Sequence, residues 1–338
     1  MKIGLMYSMQ APARFGVRTV DLYRESLAQI AWVDEHAPGI DSVWFTEHHG
    51  FADGYMASPM VIAGAVAART CRLRIAQGIV LLPLYGHPLR LAEDSAAIDL
   101  LSGGRFELGV GMGYRQDEFD AFGMDLRTRK GRFDEGLDII ERAFTGERFS
   151  YEGRYYDALG AILTPPPVQR SIPIWLGAAT PVARRRIVER GHNLLISLLT
   201  DIHHTKAQFD DFRSSGGTGR TALIRECWIG DVEEVLPHLH YTYREVYAPP
   251  HAMFAVKDAD GRRRQITDAA DPFYDGPEFW TDRFIIGDAA TVAAEIARYR
   301  DELGIDELVL RLAHPGVSHE RQMRALRDLS EDVLPRLG

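Results

Sequence analysis

The chain has 338 residues, of which 46% are hydrophobic, and its formal net charge is −9. This length can bury a large core, and the acidic balance disfavours a nucleic acid or an anionic membrane as partner. Two cysteines, Cys71 and Cys227, form no disulfide framework and are typical of a reducing compartment. The sequence shows no signal-peptide pattern and no apolar run of membrane-spanning length. We therefore expect a soluble, cytoplasmic protein.

Apolar, β-branched segments alternate with amphipathic segments along the chain. Strands are predicted at Lys2–Tyr7, Ser42–Thr46, Leu73–Leu82, Arg105–Gly109, Ile174–Gly177, Asn193–Ser197, Ala222–Ile229 and Glu307–Leu312. Helices are predicted at Val20–Ala37, Pro59–Arg69, Pro88–Leu101, Arg129–Thr145, Pro181–Arg190, Ile202–Arg213, Val232–Tyr247, Thr291–Leu303 and Ser318–Val333. This alternation predicts the α/β class, as a (β/α)8 TIM barrel with insertions after strands four and seven. We expect residues 1–338 to form a single domain.

The two predicted insertions differ in character. After strand four, Phe149–Tyr156 predicts a small hairpin centred on Gly153. After strand seven, residues 248–283 are the longest irregular stretch, with a proline pair, a charged run and then four aromatic residues: Pro249, Pro250, Lys257–Arg264, Phe273, Tyr274, Phe279 and Trp280. Loops of this length are commonly functional. We predict a lid whose aromatic part packs over the barrel mouth, with a passive insertion as the alternative.

Three ionisable residues, Glu47, His48 and His49, directly follow the second predicted strand. The carboxyl ends of barrel strands face the active-site mouth, so all three are candidate catalytic residues. An imidazole with a pKa near ~6.5 can take or return a proton at neutral pH. Glu47 could fix the tautomer of that imidazole, and a structural salt bridge is an equal alternative. The simplest alternative is that the three are polar loop residues that hydrogen-bond one another.

Two turns rich in small residues follow strands four and five. Gly109–Gly113 reads GVGMG, which lets the backbone approach a phosphate or a ring closely, although a tight turn explains it as well. Its spacing is not that of the dinucleotide fingerprint. In the second turn, Thr180 is a credible N-cap and Pro181 a credible first helical residue. The free amides of that helix would be open to an anion, and an ordinary capped helix is equally compatible.

Taken together, these segments resemble the bacterial luciferase-like flavin monooxygenases. The resemblance runs from Met1 to about Ser197, with a weaker match near the C-terminus. The residues that carry it are Glu47-His48-His49, Ile79–Pro83, His87–Arg90 with Glu93 and Asp94, Ser102–Phe106, Gly109–Gly113 with Phe122-Gly123, and Pro173–Gly177.

The resemblance implies a barrel that binds reduced FMN (FMNH2) supplied by a separate flavin reductase. The flavin would react with O2 to give a flavin hydroperoxide that oxygenates a small organic molecule. His48 is the implied catalytic residue, and Gly78-Ile79 the implied non-proline cis peptide beneath the flavin ring. The other implied cofactor-binding residues are Gly111, Met112, Gly113, Tyr114, Arg132 (from the region Arg129–Arg132), Ala178, Ala179, Thr180 and Ala183.

Bacterial luciferase itself carries a cysteine where this chain has Gly111 and a tryptophan where it has Leu198. Light emission from long-chain aldehydes is therefore disfavoured, whereas oxygenation in general is not. Six aromatic residues at strand ends and in loops favour a bulky, apolar or aromatic substrate: Tyr7, Phe15, Phe51, Tyr55, Tyr85 and Tyr114. Hydroxylation, epoxidation and Baeyer–Villiger insertion all remain open.

Three alternative functions remain. A deazaflavin-dependent oxidoreductase shares the fold, and a catalytically inactive flavin-binding relative would retain the site. A metal-dependent hydrolase is disfavoured, because the residues at 47–49 and the pair His203-His204 are adjacent rather than spaced as ligands, so no metal site is expected.

The predicted helix Pro59–Arg69 is apolar nearly all round, which is typical of a helix buried on more than one side. Luciferase-like proteins dimerise through this region. We therefore expect a homodimer that uses this helix and Pro88–Leu101.

Overall fold

The computed structural model describes residues 1–178, 180–247, 254–257 and 263–337. Within them, eight parallel strands, β1 to β8, form a barrel: Lys2–Tyr7, Ser42–Phe45, Arg74–Gln77, Phe106–Gly111, Ile174–Gly177, Asn193–Ile196, Thr221–Ile229 and Glu307–Arg311. Each strand pairs with the next one. Lys2 of β1 lies opposite Glu307 of β8, which closes the barrel. The predicted TIM barrel is confirmed.

Helices cover the outside of the barrel. In chain order, α1 to α11 are Thr19–His36, Pro59–Ala67, Pro88–Ser102, Gln116–Ala121, Arg129–Phe144, Pro181–Arg190, Ile202–Ser214, Val232–His240, Pro277–Trp280, Ala289–Leu303 and His319–Asp328. The sequence did not predict the short helices α4 and α9. Among the described residues, none of the helices has the length and apolar character that a bilayer crossing requires.

Two predicted elements are wrong in their continuity. The expected strand Leu73–Leu82 is interrupted: β3 ends at Gln77, and a separate strand, Val80–Leu81, pairs with β4. The peptide bond between Gly78 and Ile79 is cis, which the resemblance had predicted. Both parts are largely buried and have strand-like composition, so composition alone cannot show the break. The expected helix Val232–Tyr247 is α-helical only to His240 and continues as a π-helix over Tyr241–Val246.

A polar layer fills the barrel interior near the start of the strands. Arg74 lies 2.8 Å from Glu107 and 2.5 Å from Glu307. Trp44 donates to Glu307 at 3.0 Å, and Trp175 donates to Glu107 at 2.6 Å. The two indole rings meet edge to face at 5.2 Å. This end of the barrel is a satisfied, packed core, so a ligand site must lie at the opposite end.

The two insertions lie where they were predicted. After β4 come α4, α5 and the antiparallel hairpin of Phe149–Glu152 with Asp157–Ala161. After β7, the strand Phe254–Lys257 pairs with Arg263–Ile266, and the strand at 285–287 pairs with β7 itself. Residues 248–253 and 258–262, which include the proline pair and much of the predicted charged run, lie outside the described residues.

The aromatic part of the second insertion packs beside β7. Tyr274 and Phe279 are fully buried, and the ring of Phe279 lies 5.1 Å from that of Tyr243. The Tyr243 hydroxyl in turn donates to Glu226 of β7 at 3.2 Å. The insertion therefore reaches the barrel interior through Tyr243. A role as a lid stays a prediction.

Candidate active site

The loop after β2 carries Glu47, His48 and His49 at the carboxyl end of the barrel. Backbone hydrogen bonds hold this loop in place: the His48 amide donates to Met56 at 3.1 Å, and the Met56 amide donates to Ser8 at 3.0 Å. The loop is thereby tied to the segment that follows β1. His48 is only 8% exposed, so its ring is held within the mouth rather than extended into solvent.

Glu118 is the carboxylate that orients His48. The Nδ1 atom of His48 lies 2.7 Å from Oε1 of Glu118, and the same oxygen accepts the His49 backbone amide at 3.0 Å. The Glu118 side chain is fully buried, and among the described residues its Oε2 has no hydrogen-bond partner. A carboxylate at Nδ1 favours the proton there, which leaves Nε2 as the proton acceptor. Glu118 lies in α4, which the sequence did not predict.

Glu47 has a different partner. Its Oε1 lies 3.2 Å from Nε2 of His49, and its Oε2 accepts the backbone amide of Leu81. Burial lowers the pKa of His49, but the hydrogen bond and charge of Glu47, together with the charge of Glu118, raise that pKa overall. Glu47 therefore joins the β2 loop to the segment after the cis peptide. It forms the structural ion pair that was the alternative to orienting His48.

Aromatic rings surround His48. Phe51, Tyr55 and Tyr114 lie 5.4, 4.8 and 5.8 Å from the imidazole centroid, all edge to face. The guanidinium of Arg115 covers the outer side of Phe51 at 4.0 Å. Tyr114 is 37% exposed and therefore marks the side from which solvent reaches the site. The surroundings of His48 are apolar, which suits a bulky substrate.

The other aromatic residues expected in the pocket lie elsewhere. Tyr7 is fully buried and contacts Phe45, and Phe15 packs on the ring of His238 at 4.4 Å. The Tyr85 hydroxyl donates to Asp94 at 2.6 Å. Three of the six rings predicted for the pocket, those of Phe51, Tyr55 and Tyr114, therefore lie around His48.

Close packing brings the predicted flavin-ring positions together. A Cβ atom on Gly111 would lie 1.7 Å from Cδ1 of Ile79, and one on Gly109 would lie 1.8 Å from the carbonyl oxygen of Gln77. The contact at Gly109 is with backbone, so the packing of β4 against the turn at Gly78 requires a glycine there. The contact at Gly111 is with the end of the Ile79 side chain, so a cysteine at position 111 would require that side chain to move.

Arg129, rather than Arg132, reaches the turn after β4. Its guanidinium donates to the carbonyl of Gly113 at 3.0 Å. Arg132 instead donates to Thr128 at 3.1 Å and lies over the ring of Tyr155. Met112 is half-buried between these groups and the core.

The end of β5 has little packed against Gly177. A Cβ atom on this glycine would have no neighbour within 4 Å among the described residues, although the adjacent Ala178 is buried. Thr180 caps α6 by accepting the Ala183 amide at 3.3 Å, which gives that predicted amide donor a partner and leaves the O–H of Thr180 as a donor. Ala179 lies outside the described residues. A helix start beside such a glycine fits a phosphate-bearing cofactor such as FMN.

Residues 2–307 match the sequence profile of the luciferase-like monooxygenases. The chain belongs to this family. Its members are oxidoreductases, and the resemblance inferred from the sequence is confirmed. Among relatives, the uncharacterized protein y4vJ of Sinorhizobium fredii is 33% identical over 222 residues, which cover 63% of this chain and 62% of that protein. The alignment thus spans less than two thirds of this relative.

Two further comparisons extend over more of this luciferase-like chain. The oxygenase component of the flavin-dependent trigonelline monooxygenase of Acinetobacter baylyi is 25% identical over 316 residues, covering 88% of this chain and 85% of that protein. The crystal structure of the monooxygenase RslO1 of Streptomyces bottropensis superposes with a TM-score of 0.84 at 22% identity and covers all of both chains. The second comparison supports the fold alone.

A second buried polar cluster lies at the same end of this luciferase-like barrel, and the sequence did not predict it. Arg311, the last residue of β8, lies 3.1 Å from Oε1 of Glu226. Its Nη2 also donates to Ser8 at 3.3 Å and to Gln10 at 3.1 Å. The available signal was a charge at the carboxyl end of a strand whose middle residues are apolar. Among the described residues, no group of three His, Cys, Asp or Glu side chains is placed to hold a metal ion.

Proposed function

We propose that this protein is the oxygenase of a two-component flavin monooxygenase. It takes FMNH2 from a separate flavin reductase and uses O2 to oxygenate a bulky, apolar or aromatic organic substrate. The observation that carries the proposal is the His48–Glu118 pair at the barrel mouth, surrounded by aromatic rings. When bound, the reduced flavin supplies the activation of O2 and the transferred oxygen atom.

His48 is proposed as the group that moves a proton during this reaction. Glu118 holds Nδ1, so Nε2 is the atom that takes and returns the proton. The buried carboxylate also stabilises the imidazolium that forms when Nε2 is protonated. Phe51, Tyr55 and Tyr114 would exclude water from this atom and offer flat apolar surfaces to the substrate.

Two parts of the mouth would hold the flavin. The space at Gly177, the start of α6 and the cation of Arg129 suit its phosphate. The closely packed segments at Gly78-Ile79 and Gly111 would support its ring. The flavin-dependent trigonelline monooxygenase among the relatives favours a flavin as the cofactor, while F420-dependent proteins are also related to this chain.

A cofactor titration followed by a product screen tests the proposal. The purified chain is titrated anaerobically with FMNH2 and, separately, with reduced F420, and binding is followed by absorbance and fluorescence. The FMNH2 complex is then mixed with isotope-labelled O2 and a panel of aromatic and alicyclic compounds, and products are analysed by mass spectrometry. We expect FMNH2 binding and one labelled oxygen atom in a product.

Binding of F420 alone would replace the proposal with a deazaflavin-dependent oxidoreductase. Flavin binding without any labelled product from an active reductase system would instead favour a catalytically inactive relative.

A further inference from the structure

The Nε atom of Arg311 is a hydrogen-bond donor that the described residues around it do not use. The side chain is fully buried in the barrel. Its two terminal nitrogens contact Glu226, Ser8 and Gln10, but Nε has no hydrogen-bond partner among the residues that the structure describes. A buried N–H that lacks an acceptor costs free energy, so such a group in a native protein calls for an explanation.

Tyr247 connects this guanidinium with the catalytic histidine. It is nearly buried, and its hydroxyl interacts with both Arg311 and the Tyr55 hydroxyl. Burial raises the pKa of Tyr247, and the contacts with Arg311 and Tyr55 oppose that effect. The ring of Tyr55 in turn meets that of His48 at 4.8 Å. The Tyr55 hydroxyl itself donates to Thr46 at 3.3 Å. Polar groups therefore continue from the His48 pocket inward to Arg311.

We propose that Nε of Arg311 and the Tyr247 hydroxyl bind an oxygen atom of the substrate, which is an aromatic compound with a phenolic or ketone oxygen. The inference rests on the proposed function and specifies its substrate class. The rings of Tyr55 and Phe51 accommodate the aromatic part of such a molecule. Its oxygen supplies the acceptor that Nε lacks, and the buried guanidinium favours an ionised phenol or a polarised carbonyl.

The test uses 4-nitrophenol, whose ionised form absorbs visible light, as the probe. It is titrated into the full chain with and without oxidised FMN, over a range of pH. We expect the bound phenol to ionise at a lower pH than the free one. Tyr247→Phe, which removes only the hydroxyl, should weaken binding of the ionised probe about tenfold or more, the usual effect of losing a hydrogen bond to a charged group.

Two further measurements make the result specific. Arg311→Lys retains a charge for Glu226 but lacks Nε, and it should also weaken binding, whereas Tyr23→Phe on α1 should not. Nitrobenzene has no phenolic oxygen, so its binding should be equal in the parent chain and in Tyr247→Phe. Melting temperatures of all variants verify that they are folded, and Tyr247→Phe alone decides the matter if Arg311→Lys does not fold.

The proposal is overturned if the parent chain does not bind nitrophenol or leaves its ionisation unchanged. It is also overturned if Tyr247→Phe binds the ionised probe as the parent does, since an ordered water would then satisfy Arg311. FMNH2 titration is measured in parallel. Intact flavin binding with failed phenol recognition refutes this substrate site alone, whereas phenol recognition without flavin binding refutes the proposed function.

Discussion

At the scale of single residues, substitution of His48 distinguishes a catalytic role of this side chain from a structural one. We expect His48→Ala to bind FMNH2 nearly as the parent does, because the residues proposed to bind the flavin phosphate lie at the start of α6 and at Arg129. Product formed per O2 consumed should fall about 10²–10⁴-fold, the usual range for a positioned acid–base group, with hydrogen peroxide released instead. An oxygen electrode, a peroxide assay and a flavin titration measure the three quantities. A lower melting temperature with unchanged coupling would indicate a structural role.

Glu118→Gln tests the positioning residue. The amide preserves shape but removes the charge that stabilises the imidazolium, so proton transfer through His48 should slow and kcat should fall about tenfold or more, while KM changes little. Asp120→Asn, an exposed carboxylate on the same helix, serves as the control. An unchanged kcat in Glu118→Gln would show that Glu118 does not act through His48.

The sequence could place His48 but not its partner. His48 directly follows a strand, and strand ends in a barrel share one face, so local pattern suffices. Glu118 is 70 positions away in a six-residue helix, and only the folded chain brings it to the imidazole. Glu47 was the nearest carboxylate in sequence, yet its side chain is directed to Leu81 and His49. Sequence proximity is thus a poor guide to which carboxylate orients a histidine.

At the scale of elements, α2 presents an unusual surface. Val61 is 70% exposed, and a Cβ atom on Gly64, one turn further along the same helix, would meet no described residue within 4 Å. Leu101 at the end of α3 is also exposed. We propose that these groups form the twofold interface of the homodimer, because small and apolar residues let two helices approach closely.

A matched pair of substitutions tests this interface. Val61→Glu should convert the dimer to monomer at micromolar concentration, because each substitution acts twice across a twofold axis and a buried valine contributes about 1.5–3 kcal/mol. Val20→Glu alters an equally exposed valine on α1, 67% exposed, and should leave the mass unchanged. Analytical ultracentrifugation measures both. A monomeric parent chain, or equal masses for the two variants, would exclude this interface.

Predicted bounds agree with the structure where turn and cap residues enclose an element, and they fail where backbone geometry changes without a change of composition. The bounds of β1 and α6 agree with the structure, because turn and cap residues enclose them. The break after Gln77 and the π-helix at Tyr241–Val246 lie within continuous apolar or amphipathic patterns. Such patterns specify the buried face of a segment and not its hydrogen-bond ladder.

At the scale of the whole molecule, a buried histidine makes stability depend on pH. His314 is fully buried, and burial lowers its pKa to about 3, with the charge of Arg311 and that of His238 acting in the same direction. Its Nε2 lies 2.9 Å from the Cys227 carbonyl, and its Nδ1 lies 3.3 Å from Glu226. The unfolded chain binds a proton below its ordinary pKa of ~6.5, whereas the native chain does not.

The free energy of unfolding should therefore fall as the pH is lowered from ~6.5 towards 3, by about 4 kcal/mol for this one group. His314→Gln removes the titrating group, and its melting temperature should depend less on pH over this range than that of the parent. His36→Gln, an exposed histidine on α1, is the control and should follow the parent. If the melting temperatures of the parent and of His314→Gln depend equally on pH, the native state of the parent already accepts the proton at His314.

The edge-to-face indole pair of Trp44 and Trp175 gives the barrel an optical signature. Both rings are buried, and each is fixed by a hydrogen bond to a carboxylate of the interior layer. Rigid chromophores 5.2 Å apart couple their electronic transitions, so the near-ultraviolet circular dichroism of the chain contains a contribution from this pair. That contribution requires β2 and β5, which lie on different sides of the closed sheet, to be in place together. It therefore reports closure of the barrel itself, separately from the helical content that the far-ultraviolet signal measures.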